Sequence, residues 1–351
     1  KKKKKQQMNQ PKQSNNMDTD YYLDKIDRQY HEYFQEILNT IGITLQEVQE
    51  ANDCQIVNKC LILHEEHYSD TKFEFRKNFT AVVALNLKIV GSQMFSRAEN
   101  LAIVVMPQAT EIQDGTWMFG AFMRTKAQIC FFPKLSILGA FAFYKSQLQI
   151  VDSNSFPSLE TIRERSFCQC PLEQVSLQNV REVGDYAFFE CPISNCELEK
   201  VEKIGEFAFF TSKISEIQFL NLKETKIGAF YESKSLKKVV APQLMQIWAN
   251  CFSLCCLESL RVGRSGLQFN LVCSDEKCRR QKGCFICQGH LMDCHLKGVQ
   301  GESDGKLMKM GEVGKCQKGI QGRIERKMRK FEGVQLMKMG EVGKCQKGIQ
   351  G

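Results

Sequence analysis

The stretch Val183-Gly184-Asp185-Tyr186-Ala187-Phe188 returns 21 residues later as Ile204-Gly205-Glu206-Phe207-Ala208-Phe209. Both copies keep an aliphatic residue, a glycine and an alanine–phenylalanine pair at the same spacing. Looser copies of this block begin at Val90, Ile112, Leu138, Ile162, Thr225 and Ile247. Self-similarity at a period of 21–26 residues is typical of a protein built from stacked structural repeats.

Two positions of the block recur most faithfully. Five residues after each start we assign an aromatic side chain, giving Phe95, Trp117, Phe143, Phe167, Phe188, Phe209, Phe230 and Phe252. Three residues further on we assign a small side chain, giving Ala98, Gly120, Ser146, Cys170, Cys191, Ser212, Ser233 and Cys255. Stacked repeats would align the rings into one continuous spine, and each small residue would leave room for the neighbouring ring.

A second pattern lies upstream of each block, where apolar residues alternate with other residues, as in Val175-Ser176-Leu177. This alternation predicts a short strand with one buried face. One unit of this length cannot bury its own apolar face, so the neighbouring units must complete the core. The sequence therefore predicts an α/β repeat protein, a solenoid of about eight repeats with short parallel strands on its concave face.

These blocks closely resemble the BspA-like class of leucine-rich repeats, whose signature is an apolar strand followed by Ile-Gly-x-x-Ala-Phe-x-x-Cys. The resemblance covers residues 79–262 and is most specific at 183–191 and 204–212. It is weaker at 112–120 and at Thr225, where the signature has Ile or Val. It implies a leucine-rich-repeat solenoid without enzymatic activity, of a kind often found in adhesion or surface-exposed proteins.

Composition divides the rest of the chain. Six lysines and no acidic residue fall within residues 1–12, and 13 basic against six acidic residues fall within 297–351. Since the whole chain carries +8, residues 13–296 carry −5. We expect a disordered basic and polar tail over 1–17, a helical cap over 18–78, the solenoid over 79–263, a Cys/His-rich segment over 264–296 and a disordered low-complexity basic tail over 297–351. In that last tail, the 16 residues 307–322 recur unchanged at 336–351.

The helical cap rests on two patterns. Apolar and aromatic residues recur at helical spacing over residues 18–41, where Asp18 or Thr19 can cap the helix and Gly42 can end it. The members of this stripe are Tyr22, Ile26, Tyr30, Tyr33, Ile37 and Ile41. Thr44-Leu45-Gln46-Glu47 is a capping-box pattern that opens a second, shorter helix. The first helix either covers the open end of the solenoid or binds a partner.

Residues that could carry chemistry are few. The sharpest group is Cys273, Cys278, Cys284, Cys287, His290, Cys294 and His295. It could hold a tetrahedral zinc ion, although its spacing fits no zinc-finger pattern, and incidental thiols are the alternative. The cysteines at the small position of the repeat interchange with serine, which indicates packing rather than catalysis. His64 and His67 belong to a polar turn. No Ser-His-Asp pattern, phosphate loop or dinucleotide fingerprint is visible, so we assign no catalytic residue, metal site or cofactor.

The residues that flank the buried pair of each strand should point outward, because side chains alternate along a strand. From Ala81 to Pro133 these outward positions are apolar, then they become acidic and finally weakly basic. As candidate partner-binding residues we select Val83, Ile103, Val105, Ile129, Phe131, Gln174, Ser176, Asn195, Glu197, Glu216, Gln218, Lys238 and Arg261. The helix near residues 20–41 could fold back onto the apolar half, or that half could be open for a partner.

Together these features predict a non-enzymatic scaffold or adhesion-type module that binds a protein partner, without nucleic-acid binding or membrane insertion. The alternative is a zinc module at 273–295 whose basic tail contacts nucleic acid. The visible N-terminus has no apolar stretch of the kind found in a signal peptide, which favours a cytoplasmic location. The chain also has no starting Met, so the sequence is compatible with a fragment of a longer protein.

Overall fold

A computed structural model describes residues 23–248, 251–252, 254–256, 259–262 and 268–270. It shows a solenoid of short parallel strands, with two helices and one antiparallel strand at its N-terminal end. This is the leucine-rich-repeat architecture that the sequence predicts. The predictions for residues 1–22, and those for 264–351 apart from 268–270, lie outside the described residues.

From Ala81 onward, each described turn of the solenoid contributes one strand to each of two ladders, and the first turn contributes a strand to the first ladder only. The first ladder consists of β2 Cys60–Leu63, β3 Ala81–Ala84, β5 Ile103–Val105, β7 Ile129–Phe131, β9 Ile150–Val151, β11 Gln174–Ser176, β13 Asn195–Glu197, β15 Glu216–Gln218, β17 Lys238–Ala241 and β19 Ser259–Val262. Its hydrogen bonds are interrupted between β7 and β9 and between β13 and β15. The first interruption coincides with extra residues after Val151. Before β2, the strand β1 Ile56–Val57 pairs with it antiparallel.

The second ladder is one uninterrupted sheet of two- and three-residue strands. Its members are β4 Ile89–Val90, β6 Glu111–Ile112, β8 Ile137–Leu138, β10 Thr161–Ile162, β12 Glu182–Val183, β14 Lys203–Ile204, β16 Glu224–Thr225, β18 Gln246–Trp248 and β20 Gln268–Asn270. The second residue of each two-residue strand is buried, as at Val183 and Ile204, so both ladders close over one core.

The aromatic spine runs through this core as a column of phenylalanines. Phe167, Phe188, Phe209 and Phe230 are buried and stack in sequence, with ring centroids 5.5, 5.2 and 5.1 Å apart. The full column is Phe73, Phe95, Phe122, Phe143, Phe167, Phe188, Phe209, Phe230 and Phe252. Since β2 and Phe73 belong to the stack, the solenoid begins one turn before Phe79.

The assignment of Trp117 and Gly120 to the repeat was wrong. The spine ring of that turn is Phe122, which stacks between Phe95 and Phe143 at 5.5 and 4.9 Å, and the buried small residue is Thr125. Residues 115–119 are five extra residues between the strand β6 and the spine ring. They move every later position of this repeat by five and place Trp117 in a satellite cluster on the flank of the core.

The small position has a hydrogen-bonding role as well as a packing role. In four turns, those of Cys170, Cys191, Ser233 and Cys255, its thiol or hydroxyl donates to the carbonyl oxygen of the spine phenylalanine in the preceding turn. Examples are Cys170 to Phe143 at 2.9 Å, Cys191 to Phe167 at 3.0 Å and Ser233 to Phe209 at 2.8 Å. Cysteine and serine therefore interchange because both are small donors.

Every turn also contains a left-handed residue two positions after its spine ring. These residues have φ between 55° and 62° and are Phe75, Arg97, Arg124, Lys145, Gln169, Glu190, Thr211, Glu232 and Leu254. From Phe75 to Thr211 their backbone N–H groups donate to the next turn, as from Arg97 to Met123 at 2.8 Å and from Gln169 to Phe189 at 2.8 Å. We call this row the turn edge.

The helix predicted over residues 18–41 is interrupted at residues 24–27. A 3-10 turn over Arg28–Tyr30 precedes α1, which spans His31–Ile41, and α2 spans Leu45–Glu50. Leu23 is helical, residues 24–27 are not, and the Asp27 carboxylate accepts a hydrogen bond from the Gln29 N–H and caps the 3-10 turn. Gly42 ends α1 at φ 76°, and both hydrogen bonds of the Thr44–Glu47 capping box are present, as predicted.

Candidate interaction surface

The outward face of the first ladder falls into a covered half and an open half. In the covered half the outward residues are apolar and pack against the N-terminal helices in a second core, apart from the main one. Its central ring is Phe131, which lies 6.3, 5.8 and 5.9 Å from the rings of Tyr30, Tyr33 and Phe34. The helix that the sequence pairs with this patch is therefore the element that covers it.

Polar contacts fix the helical segment along the edge of the sheet. The Lys25 ammonium donates to the Asn86 side-chain oxygen at 3.2 Å, and the Gln108 amide donates to the Lys25 carbonyl at 3.0 Å. At the far end, burial raises the pKa of Tyr33, while a hydrogen bond with Ser155 lowers it. Ser155 follows β9, so the cover ends where the first interruption of the ladder lies.

This covering removes five residues from the predicted partner-binding set. Val83, Val105 and Phe131 are buried, and Ile103 and Ile129 are half-buried against the helices. The prediction that these five residues bind a partner is therefore wrong, because their apolar side chains pack against the helices of their own chain.

The open half retains the other eight predicted residues. Gln174, Asn195, Glu197, Glu216, Gln218, Lys238 and Arg261 are exposed, and Ser176 is half-buried. Side-chain hydrogen bonds join two pairs of strands: the Ser176 hydroxyl in β11 donates to Glu197 in β13 at 2.8 Å, and the Lys238 ammonium in β17 donates to Glu216 in β15 at 2.7 Å. Parallel pairing brings these side chains together, since Gln174 pairs with Asn195 and Glu216 with Lys238.

Two exposed apolar residues complete this surface. Ile150 in β9 is 49% exposed and pairs with Gln174, and Leu220 after β15 is 52% exposed. The sequence reasoning missed Ile150 because the repeat around Leu148 carries about three extra residues. We call the set Ile150, Gln174, Ser176, Asn195, Glu197, Glu216, Gln218, Leu220, Lys238 and Arg261 the open strip. It is apolar at its start, acidic in its middle and basic at its end.

Metal binding and thiol chemistry find no support in the described part of the chain. It holds no group of three or more metal-ligating side chains, and the cluster Cys273–His295 lies outside it. Burial raises the pKa of the Cys170 and Cys251 thiols to about 12 and that of Cys191 well above its usual range. A thiol of this kind stays protonated near neutral pH, which fits packing rather than nucleophilic catalysis. None of the helices within the described ranges is long and apolar enough to cross a membrane.

Comparison with known families supports the repeat assignment. Residues 136–259 match the family model described as BspA type Leucine rich repeat region, in six copies. The resemblance in the repeats is therefore confirmed over this range. A separate comparison with the curated proteins found no match.

Solved structures of leucine-rich-repeat proteins align with the chain at low identity. One is a leucine-rich repeat protein from Bacteroides ovatus ATCC 8483, at 19% identity and TM-score 0.42, covering 57% of this chain and 58% of that one. Another is a leucine rich cell surface protein from Faecalibacterium prausnitzii A2-165, at 19% identity and TM-score 0.32, covering 50% and 57%. The chain thus spans less than two thirds of the length of either.

Proposed function

We propose that this chain is a protein-interaction or adhesion-type module that binds a partner protein through the open strip. The repeat fold suggests the general role, since stacked repeats present extended surfaces for binding. The observation that carries the proposal is the contrast between the two halves of one face. The apolar half is closed by the chain's own helices, whereas the strip beyond it is free of any covering element among the described residues.

The chemistry of the open strip defines the partner it fits. Glu197 and Glu216 lie on the successive strands β13 and β15 in the middle of the strip. Glu216 is paired with Lys238, whereas Glu197 accepts only from the neutral Ser176 hydroxyl, so Glu197 carries the charge that favours a lysine or arginine side chain. Ile150 and Leu220 offer apolar contacts on either side of these carboxylates. An extended segment with basic residues between two apolar ones complements this order. Charge complementarity of this kind chiefly sets specificity and the rate of association.

A displayed library of random peptides, panned on the full chain, tests the proposal. We expect the selected peptides to be enriched in Lys and Arg, and the double variant Glu197→Lys/Glu216→Lys to lose their binding. The matched control is Glu160→Lys/Glu182→Lys, which changes the net charge equally at exposed residues around the second ladder. Equal loss in both variants, or selected peptides without basic residues, would contradict the proposal.

A further inference from the structure

A second charged surface lies on the turn edge, away from the open strip. Three consecutive turns place a cation at this position: Arg97, Arg124 and Lys145. Their backbones are hydrogen-bonded neighbours, because the Arg97 N–H donates to Met123 and the Arg124 N–H donates to Tyr144. Neighbouring turns stand about 4.8 Å apart, and like charges at that separation repel each other. Folding alone gives no reason to align them.

The first of these cations is held in place without being neutralised by a hydrogen-bonded partner. The Arg97 guanidinium lies over the rings of Phe75 and Phe119, at 5.4 and 6.0 Å from their centroids. Its buried Nε atom has no hydrogen-bond partner within the described residues. Burial, followed by the charge of Arg124, lowers the pKa of Arg97, and the nearby Glu74 opposes this effect. Glu74 also keeps one buried carboxylate oxygen without a hydrogen bond.

A shallow groove runs beside the second cation. It is lined by Glu99, Asn100, Arg124, Thr125, Lys126, Gln128 and Gln147. The one acidic side chain in this lining, Glu99, is already paired with Lys77 at 2.6 Å. Lys126 is exposed, and the amides of Gln128 and Gln147 are available as further donors around the groove. Together with Lys77, the groove therefore has three cations, Lys77, Arg124 and Lys126, against one carboxylate, and its net charge is positive.

We propose that the turn edge around Arg97, Arg124 and Lys126 binds an acidic segment of a protein partner. Arginine matches a carboxylate with two parallel hydrogen bonds, and the fixed stacking of Arg97 on two rings orients its guanidinium for such contacts. This surface is separate from the open strip and goes beyond the proposed function, since it adds a second contact of opposite charge.

The length of the basic row favours a short acidic peptide over a long polyanion. After Lys145 the turn edge continues with the neutral Gln169 and then the acidic Glu190. The basic part therefore occupies three turns, and its outer members are two intervals of about 4.8 Å apart, roughly 10 Å in all. An extended peptide covers that length with about three residues. A longer nucleic-acid chain would meet the acidic continuation.

Fluorescence anisotropy of a labelled hexaglutamate peptide with the full chain tests this inference. We expect binding that weakens as salt is added, and the variant Arg124→Gln/Lys126→Gln should bind about tenfold more weakly. The control Lys203→Gln/Lys213→Gln removes two exposed cations elsewhere and should stay within about twofold of the parent. If the double variant fails to fold, as judged by circular dichroism, the exposed Lys126→Gln alone should still weaken binding about threefold.

Three outcomes would overturn the inference. Unchanged affinity in the double variant would assign the binding to the lysines of residues 1–12 or 297–351. Equal loss in the control would mean that only net charge matters. Tighter binding of a short oligothymidylate, lost in the same double variant, would make the surface a nucleic-acid site. Each result is independent of the open strip, because none of the substituted residues belongs to it.

Discussion

Replacement of Phe122 by alanine should destabilise the solenoid far more than replacement of Trp117. Phe122 is fully buried and stacks on two spine rings, with centroids 5.5 and 4.9 Å away and interplanar angles of 4° and 14°. Truncation of a buried phenylalanine costs about 3–5 kcal/mol, and stacking adds about 0.5–1.5 kcal/mol per pair beyond area burial. With two stacked partners, we expect a loss near the upper end, about 5 kcal/mol.

Trp117 is half-exposed on the flank of the core and belongs to the inserted residues 115–119. Its truncation should cost about 1–2 kcal/mol, as is usual for a residue outside a closed core. The contrast tests the register of this repeat, since sequence spacing alone assigns Trp117 to the spine.

Urea unfolding followed by far-ultraviolet circular dichroism measures both effects without relying on tryptophan fluorescence. With a slope of about 2–3 kcal/mol/M, the Phe122→Ala variant should move the midpoint by about 2 M and Trp117→Ala by less than about 1 M. A Trp117→Ala variant that loses as much stability as Phe122→Ala would refute the position of Phe122 in the spine.

Three further perturbations follow from the same structure. Thr211→Asn should raise the free energy of unfolding by about 0.5–1 kcal/mol. Thr211 has φ 60°, and asparagine tolerates this left-handed conformation better than a β-branched residue. An unchanged or lower melting temperature would contradict this prediction. Cys191→Ser should leave the stability to thermal unfolding nearly unchanged, whereas Cys191→Ala should lower the free energy of unfolding by about 1 kcal/mol. Only serine keeps the hydrogen bond to the Phe167 carbonyl. Equal stability of the two variants would exclude a stabilising role for this hydrogen bond. Phe34→Ala should loosen the packing of α1 on Phe131 and increase the binding of a hydrophobic dye. The control Glu36→Ala, at an exposed residue of the same helix, should leave dye binding unchanged. Equal dye binding by both variants would show that Phe34 does not keep α1 packed on the sheet.

The repeat and its buried residues could be predicted from the sequence wherever the repeats have the same length. Between Val183 and Phe209 the predicted inward residues are buried, except for the half-buried Cys196, because a strict period aligns strand, glycine and ring in neighbouring turns. The period fails at Ile112, where five residues are inserted. The Ala121-Phe122 pair carries the signal that could have found the true register, since an alanine precedes the ring in the well-kept repeats. The turn at Cys60–Leu63 was missed because no such pair follows it.

The candidate surface was only partly predictable. Alternation along the strands correctly separates outward from inward residues, and the apolar character of the first outward rows indicates a covered patch. Whether another element of the chain covers this patch depends on tertiary contacts, which the local sequence pattern does not encode. Contacts such as Lys25 with Asn86 join residues 61 positions apart and leave no local pattern. The turn edge escaped notice because its residues share a backbone conformation rather than a residue type.

The insertion at residues 115–119 shows where this architecture accepts foreign sequence. Despite five extra residues, β6 still pairs with β4 and β8, and Asp114 still accepts a hydrogen bond from Ala140 at 2.8 Å, as Asp185 does from Glu206. The extra segment leaves the stack between the second-ladder strand and the spine ring and returns without disturbing either neighbour. The corresponding point after Glu206 is therefore a natural graft site, where an epitope or reporter peptide can be displayed from an intact scaffold.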